Sequence, residues 1–165
     1  MKISILTNQA KKTSTNKIPQ WKPNATVAAI IEQNGKFLLV EEETDRGNRY
    51  NQPAGHLEDD ETLLEAVIRE TMEESAYEFM PEKLLGIYQW KHTHNETTYL
   101  RFAFIGKVGK HFPTQALDTG IVQALWMSID EIRKKAHLMR SDQVLSCIED
   151  YLAGKSYPLE VITNL

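Results

Sequence analysis

Three glutamates at helical spacing are the residues of this chain that most clearly indicate a chemical function. Glu70, Glu73 and Glu74 share one narrow helix face at about 100° per residue. Like charges at these spacings each destabilise a helix by about 0.2–0.5 kcal/mol. A hard divalent cation reverses that penalty, because Mg²⁺ is commonly held by a few carboxylates together with substrate phosphates. The acids therefore predict a metal site, and the alternative is a solvated face on which Arg69 pairs with Glu65 and Glu73.

A longer pattern surrounds these acids. Gly55, Glu61 and Arg69 precede them at the spacing G-x5-E-x7-R-E-x2-E-E, which resembles the Nudix box of the MutT/Nudix hydrolase family. Six specified positions would coincide by chance on the order of once in 10⁷ to 10⁸ starting points. Thr71 stands where the family usually has an aliphatic residue, and Ala76 stands where it has a glycine. The second departure predicts a different or slightly strained exit from the helix.

The resemblance extends beyond the box. Residues 52–58 (Q-P-A-G-H-L-E), 100–102 (L-R-F) and 157–160 (Y-P-L-E) are similar to the NudJ-type phosphatase branch of that family. The similarity covers roughly residues 21–162.

This resemblance implies the fold and the activity. The expected fold is of the α/β (α+β) class, an α/β/α sandwich with a mixed β-sheet and a loop-helix-loop catalytic motif. The expected reaction is Mg²⁺- or Mn²⁺-dependent hydrolysis of nucleoside tri- or diphosphates or related pyrophosphates, including thiamine precursors, with release of orthophosphate. The alternatives are a MutT-like NTP pyrophosphohydrolase, an ADP-ribose or dinucleoside polyphosphate hydrolase, and a non-catalytic nucleotide-binding module. The intact acids speak against the last of these.

The resemblance also implies residue roles. Arg69 orients the carboxylates of the helix, and Glu61 supports the motif from the start of the helix. A bound cation offsets phosphate charge, which accounts for polyphosphate binding by a chain of net charge −4. The implied metal ligands are the backbone carbonyl of Gly55 and the carboxylates of Glu70, Glu73 and Glu74.

The general base is left open by the sequence. Many family members carry acids immediately before the tryptophan that corresponds to Trp126, but here residues 122–125 are V-Q-A-L. Asp118 and Glu96 are the two candidates. Each has an ordinary structural interpretation, since Asp118 begins a D-T-G sequence typical of a turn.

Four further residues are candidates for substrate binding: Arg49, Tyr50, His56 and Arg101. A loop arginine or a strand tyrosine is also commonly a solvated or packing residue. A zinc site at His92 and His94 lacks a third nitrogen or sulfur ligand nearby. Cys147 lies at the border of an apolar helical stripe, which indicates a core position.

Hydrophobic periodicity predicts the elements that position these groups. Strands over 25–31 and 36–42 are joined by Asn34-Gly35, a strong hairpin signal. A helix over 61–74 follows a loop at 43–52 and buries Leu64, Val67, Ile68 and Thr71. Strands over 84–90 and 98–108 form a second hairpin, and 121–127 forms another strand. Helices follow over 128–135, beginning with a capping box, and over 141–152. Because this order does not alternate β and α, it favours helices packed on the faces of a mixed sheet.

Length and composition limit the remaining possibilities. The 165 residues favour one domain over 21–165, preceded by a polar arm over 1–20. The net charge of −4 disfavours a stable nucleic-acid partner, including one bound through the basic arm. No apolar run approaches the roughly 18 residues that span a bilayer. One cysteine fits a reducing cytoplasm. The expected partner is a small phosphorylated substrate, and the chain is either a monomer or a homodimer.

Overall fold

The computed structural model describes residues 21–92 and 96–165. The predicted N-terminal arm and His94 lie outside the described residues. The strands are β1 (Asn24–Gln33), β2 (Lys36–Glu42), β3 (Arg49–Asn51), β4 (Ala54–His56), β5 (Tyr77–Lys91), β6 (Thr98–His111) and β7 (Ile121–Ser128). The helices are α1 (Leu63–Ser75), α2 (Ile129–Lys134) and α3 (Asp142–Leu152), with short 3₁₀ turns at Ala136–Leu138 and Leu159–Val161.

The strands form a mixed sheet. Strand β1 runs parallel to β6 and antiparallel to β4 and β2. Strand β5 pairs antiparallel with β6, while β3 and β7 pair with β2. The first predicted hairpin is confirmed, because Gln33 pairs with Lys36 across a two-residue turn. Asn34 and Gly35 both have positive φ values, 54° and 76°, as a tight hairpin turn requires.

Alternating residues of β1 supply two cores on opposite faces of the sheet. Val27, Ala29 and Ile31 pack in one core together with Val67 of α1. Their neighbours Ala28 and Ile30 pack in the other core, with Val144, Cys147 and Ile148 of α3. Side chains of a strand alternate between faces, so α1 and α3 cover opposite sides. The predicted α/β/α sandwich and the core position of Cys147 are confirmed.

The buried face of α1 differs from the predicted stripe. Ile68 is 40% exposed, so its predicted core position is wrong. The helix instead turns its acidic side inward, and the residues it buries are Ala66, Val67, Glu70, Thr71, Glu74 and Ser75. A periodicity argument that counts only apolar residues misplaces such a face, because two of its members are carboxylates.

The sequence predicted a different or a slightly strained end of α1 at Ala76, and the structure shows the strained one. Ala76 is the C-cap and adopts the left-handed conformation, with φ 57° and ψ 24°. Its backbone N–H donates to the carbonyl of Met72 at 2.9 Å. A residue with a Cβ pays for this conformation in steric strain, which glycine would avoid.

Strand lengths also differ from the predictions. Strand β5 begins at Tyr77 rather than 84, and β6 continues to His111 rather than 108. Pro81 and the polar residues around it interrupt the strand pattern in the sequence, so the first half of β5 was not predicted. An edge strand nevertheless tolerates proline. The predicted loop over 43–52 contains β3, and β4 follows it. Both are only three residues long, too short to show a periodic pattern. The helices predicted over 128–135 and 141–152 are confirmed to within a residue.

In the described part of the chain, no helix is long and apolar enough to cross a membrane.

Candidate active site

Strand β4 and helix α1 meet at Gly55. A Cβ atom built on this glycine would collide with the carboxylate of Glu70, so a glycine here is what leaves the carboxylate in its observed position. The family resemblance assigns both residues to the metal site, and the structure brings them into contact.

Arg69 holds three of the predicted acids in place. Its Nη1 donates to Glu70 Oε1 at 2.9 Å and to Glu73 Oε2 at 3.0 Å. Its Nε and Nη2 donate to the two oxygens of Glu61 at 3.0 and 2.7 Å. Glu61 also accepts a hydrogen bond from the backbone N–H of Glu58 at 2.7 Å. The solvated-face alternative paired Arg69 with Glu65, but Glu65 instead caps α1 by accepting from the N–H of Thr62.

Glu74 is held separately from Arg69. Its Oε2 accepts a hydrogen bond from the backbone N–H of Ala54 at 2.8 Å, and the residue is only 9% exposed. Burial raises the pKa of Glu74 to about 8. Burial likewise raises the pKa of Glu70, although the hydrogen bond from Arg69 opposes the effect. A cation beside these groups would favour their ionised forms.

Two more acids act on this cluster. Asp118 lies at the end of α1, where its backbone N–H donates to the carbonyl of Glu73 at 3.0 Å, and its charge raises the pKa of both Glu70 and Glu74. Glu42, which ends β2, raises the pKa of Glu74 in the same way. Of the two candidate bases, Asp118 is the one that the structure brings to the box. Glu96 is exposed on the β5–β6 connection.

The donor set fits a hard divalent cation in its chemistry. Within the described part of the chain, Glu70, Glu73 and Glu74 each keep one carboxylate oxygen without a hydrogen bond. Oxygen donors of this kind suit Mg²⁺ and Mn²⁺. With Arg69 bound to two of the acids, residues 21–92 and 96–165 present no ready-made group of three or more His, Cys, Asp and Glu side chains for a metal. Cation binding therefore requires the carboxylates to adjust around Arg69.

A cleft of about 270 Å³ opens beside the box. Gly55 and Glu74 form the side nearest the helix. The remaining lining includes His56, Trp90, Tyr99, Arg101, Arg140 and Ser141. Two of the four predicted substrate-binding residues, His56 and Arg101, thus face the same cleft.

The other two predicted substrate-binding residues are placed elsewhere. Tyr50 is 9% exposed and packs in the core. Its hydroxyl accepts a hydrogen bond from Lys135 Nζ at 3.1 Å, and that ammonium lies 4.7 Å from the ring centroid. Arg49 donates to the carbonyl of Asn48 in the preceding loop. Neither residue is part of the cleft lining.

Several cleft residues were absent from the sequence-based candidates. Trp90 and Tyr99 pair across β5 and β6, and the predicted hairpin would have placed them opposite each other had its register been known. Arg140 and Ser141 are brought in because the N–H of Arg140 donates to the carbonyl of Tyr50 at 2.8 Å. That contact spans 90 residues, and no local sequence signal predicts it.

The chain is similar in sequence to known proteins. The family model of the NUDIX domain matches residues 21–146. The chain is 42% identical to the protein named Phosphatase NudJ of Escherichia coli K12 over 142 residues, which cover 86% of this chain and 92% of that protein.

Solved structures give the same result. A NUDIX hydrolase from Nitrosomonas europaea has a TM-score of 0.85 and 53% sequence identity, covering 87% of this chain and 98% of that one. A MutT protein from Methanosarcina mazei, at 24% identity and a TM-score of 0.66, covers 83% of this chain and 99% of that one, and shares the fold. With its box residues gathered at the junction of β4 and α1, the chain belongs to the Nudix family and is a hydrolase of phosphoanhydride bonds.

Proposed function

We propose that this Nudix hydrolase is a Mg²⁺-dependent phosphatase of nucleoside tri- and diphosphates or related small pyrophosphates, and that it releases orthophosphate. The observation that carries the proposal is the set of three carboxylates Glu70, Glu73 and Glu74, each with an open oxygen, beside a cleft that Glu74 lines. The 42% identity to a protein named as a phosphatase supports the product. Mn²⁺ has the same ligand preferences and is the expected substitute.

The chain's own residues position the reaction. Glu70, Glu73 and Glu74 would hold the divalent cation, and the Gly55 carbonyl would be a further oxygen donor. Arg69, itself bound to Glu61, holds Glu70 and Glu73 in place through its planar guanidinium, and the backbone N–H of Ala54 holds Glu74. A cation held there would supply positive charge against the phosphate oxygens and Lewis-acid activation of the attacking water. His56 and Arg101 face the part of the substrate that occupies the cleft.

Asp118 is the proposed general base. It lies beside Glu73 at the open end of the acidic cluster, where a carboxylate can accept the proton of the attacking water. Asp118→Asn should lower turnover strongly, while Glu96→Gln should leave it nearly unchanged. A large loss in Glu96→Gln alone would transfer the role to that residue.

The acids are tested by amide replacement. Glu70→Gln, Glu73→Gln and Glu74→Gln should each lower turnover at least about tenfold, which corresponds to ~1.4 kcal/mol of transition-state stabilisation. Glu65→Gln is the matched control, since this exposed glutamate lies on the same helix and only caps it. An equal loss in the control would contradict the assignment of the metal face.

The product is tested by isotope labelling. Hydrolysis of GTP with Mg²⁺ in H₂¹⁸O should place the label in orthophosphate, and GDP should accumulate before GMP. In-line displacement is possible at either an inner or the terminal phosphorus, so the depth at which the substrate binds decides the product. Pyrophosphate as the first product would support the MutT-like alternative and contradict the phosphatase. Parallel reactions with NDPs, thiamine-type pyrophosphates, ADP-ribose and dinucleoside polyphosphates would identify the preferred substrate.

A further inference from the structure

The β6–β7 loop, residues 112–120, is hydrogen-bonded to the end of α1. The backbone N–H of Phe112 donates to the carbonyl of Ala76 at 2.9 Å, and that of Asp118 donates to the carbonyl of Glu73 at 3.0 Å. The last carbonyls of a helix have no partner within the helix, and α1 has no basic residue in its last turn. The loop therefore supplies donors that the end of the helix itself lacks.

Gln115 adds a side-chain donor between these two backbone contacts. Its Nε2 donates to the carbonyl of Met72 at 2.9 Å, and its own N–H donates to the carbonyl of Phe112 at 2.9 Å, which closes a turn. Within residues 63–75 and 112–120, all of which the structure describes, no other side chain of the loop makes a hydrogen bond to α1. Gln115 is therefore the side chain that ties the loop to the helix.

The β6–β7 loop is mostly exposed between its backbone contacts. Residues 113–116 and 118–120 are exposed, and Leu117 is partly buried. At the far end of the loop, the carbonyl of Gly120 accepts a hydrogen bond from the N–H of Glu43 at 2.8 Å. Exposed loops with few buried contacts open locally at a small cost in free energy. A single side-chain hydrogen bond is therefore a substantial part of what fixes this loop.

Asp118, three residues after Gln115, lies beside the glutamates of the box. Its charge is close enough to raise the pKa of both Glu70 and Glu74. Asp118 is exposed, and the position of its carboxylate follows the backbone of the loop. A general base acts only within hydrogen-bond reach of the proton that it removes, and a misplacement of about 1 Å costs roughly 10²-fold in rate. Movement of the loop would therefore lower turnover.

Resting on the proposed function, in which Asp118 is the general base, we propose that Gln115 is a positioning residue for that base. Its amide holds the β6–β7 loop against the end of α1 and keeps the Asp118 carboxylate within reach of the attacking water. The backbone carbonyls of α1 thus fix the distance between the helix that carries the acids and the loop that carries the base. Gln115 is not part of the cleft lining, so it acts on turnover and not on substrate binding.

Amide hydrogen exchange tests the anchoring without catalysis. Gln115→Met keeps the length of the side chain and removes the donor. In NMR of the full ¹⁵N-labelled chain in EDTA, the Asp118 amide should exchange about three- to tenfold faster in this variant, as expected for one lost hydrogen bond. The Ala153 amide donates to the carbonyl of Glu149 at 2.9 Å, at the end of α3. It is the internal reference and should exchange at an unchanged rate.

Steady-state kinetics with Mg²⁺ and a nucleoside triphosphate tests the effect on the reaction. A positioned base contributes about 10²–10⁴-fold to the rate, and a displaced base loses part of this. We expect kcat of Gln115→Met to fall at least about fivefold. The KM for the nucleotide and the dissociation constant for Mn²⁺, measured by EPR, should stay the same, because the Gln115 amide bonds to a backbone carbonyl and to none of the carboxylates.

Gln123→Met is the matched control. Gln123 is also an exposed glutamine, and its Nε2 donates to Glu41 at 2.7 Å, so the variant loses a similar hydrogen bond that does not involve α1. It should keep both kcat and the exchange rate at Asp118. A double variant shows whether Gln115 acts through the base. Adding Gln115→Met to Asp118→Asn should lower kcat by less than about twofold, because the effects of coupled residues are not additive.

Three results would overturn the inference. The first is unchanged exchange at Asp118 in Gln115→Met, and the second is an equal loss of kcat from Gln115→Met with and without the Asp118 carboxylate. The third is normal kcat in Gln115→Met beside an impaired Asp118→Asn, which would contradict the inference alone. Full turnover in Asp118→Asn would instead contradict the general base of the proposed function, and the inference with it.

Discussion

Among single residues, Arg69 contacts three acids of the site. Its guanidinium binds Glu61, Glu70 and Glu73 at once, and these carboxylates in turn raise the pKa of Arg69. The arginine is therefore a permanent positive charge that partly neutralises the acids before any cation binds. A lysine could not replace it, because a single ammonium lacks the planar set of donors that reaches three carboxylates.

Substitution of Gly55 should change the position of the Glu70 carboxylate without changing the charge of the site. In Gly55→Ala the new Cβ would collide with the Glu70 carboxylate, so the carboxylate must move away from β4. We expect turnover to fall at least about tenfold, or ~1.4 kcal/mol in transition-state stabilisation, although no charge is altered.

Gly86→Ala is the matched control in a strand. Its Cβ would meet only the Tyr88 ring, at an ordinary contact distance of 3.4 Å. Steady-state kinetics should show near-normal turnover for this variant. Normal turnover in Gly55→Ala would contradict the close packing of strand and carboxylate.

Glu74 should make the stability of the metal-free protein depend on pH. Its pKa is about 8 in the folded state, against an ordinary value of 4.5 for a glutamate. Between these values the unfolded chain loses a proton that the folded chain retains, so the free energy of unfolding decreases as pH rises from about 5 to 8. Urea denaturation in EDTA should show Glu74→Gln gaining stability relative to the unaltered protein as pH rises, by about 1 kcal/mol or more at pH 8. A difference that is independent of pH would contradict the raised pKa.

The predictability of individual residues depended on whether their partners are local. Glu70, Glu73 and Glu74 lie within five positions of one another, so a helical projection places them on one face. Glu42 and Ser141 reach the site through β2 and through the contact between Tyr50 and Arg140, and neither path leaves a local pattern. Tyr50 is the reverse case. Its place beside a loop arginine suggested a binding residue, but the side chain packs in the core.

Among the elements, α1 carries the acids and is fixed at both ends. Thr62 and Glu65 form a capping box at its start, and Ala76 ends it in the left-handed conformation. The sequence-based prediction began the helix at 61 and overlooked this capping box. It placed the acids correctly because helix geometry depends on spacing and not on the first residue. Short strands such as β3 and β4 were missed because they are held by tertiary pairing with β2 and β1.

The two N-terminal caps give a test at the level of helices. Thr62→Ala removes the acceptor for the Glu65 N–H, 3.2 Å away, and should lower the free energy of unfolding by about 1 kcal/mol. Ser141→Ala removes a hydroxyl that makes no capping bond and should change that free energy by less than about 0.5 kcal/mol. Urea denaturation measures both. Equal losses in the two variants would show that Ser141 supports its helix after all.

At the scale of the whole molecule, the net charge of −4 opposes the binding of the polyphosphates that we propose as substrates. The fold concentrates Glu42, Glu70, Glu74 and Asp118 around one end of α1, which adds local repulsion to the unfavourable net charge. An acidic concentration of this kind weakens the metal-free fold and binds anions poorly. A divalent cation would relieve both problems at once.

Magnesium should therefore stabilise the entire domain. At about 100 times its dissociation constant, a ligand that binds only the folded state adds ~2.7 kcal/mol, which raises the melting temperature of a domain of this size by roughly 5–10 °C. Thermal denaturation with Mg²⁺, compared with EDTA for each variant, measures this increase. The double variant Glu73→Gln with Glu74→Gln should lose most of the increase, while Glu65→Gln should keep it, because Glu65 caps the helix away from the cluster. If Mg²⁺ leaves the melting temperature unchanged with and without nucleotide, or if the double variant responds fully, these carboxylates do not hold the cation.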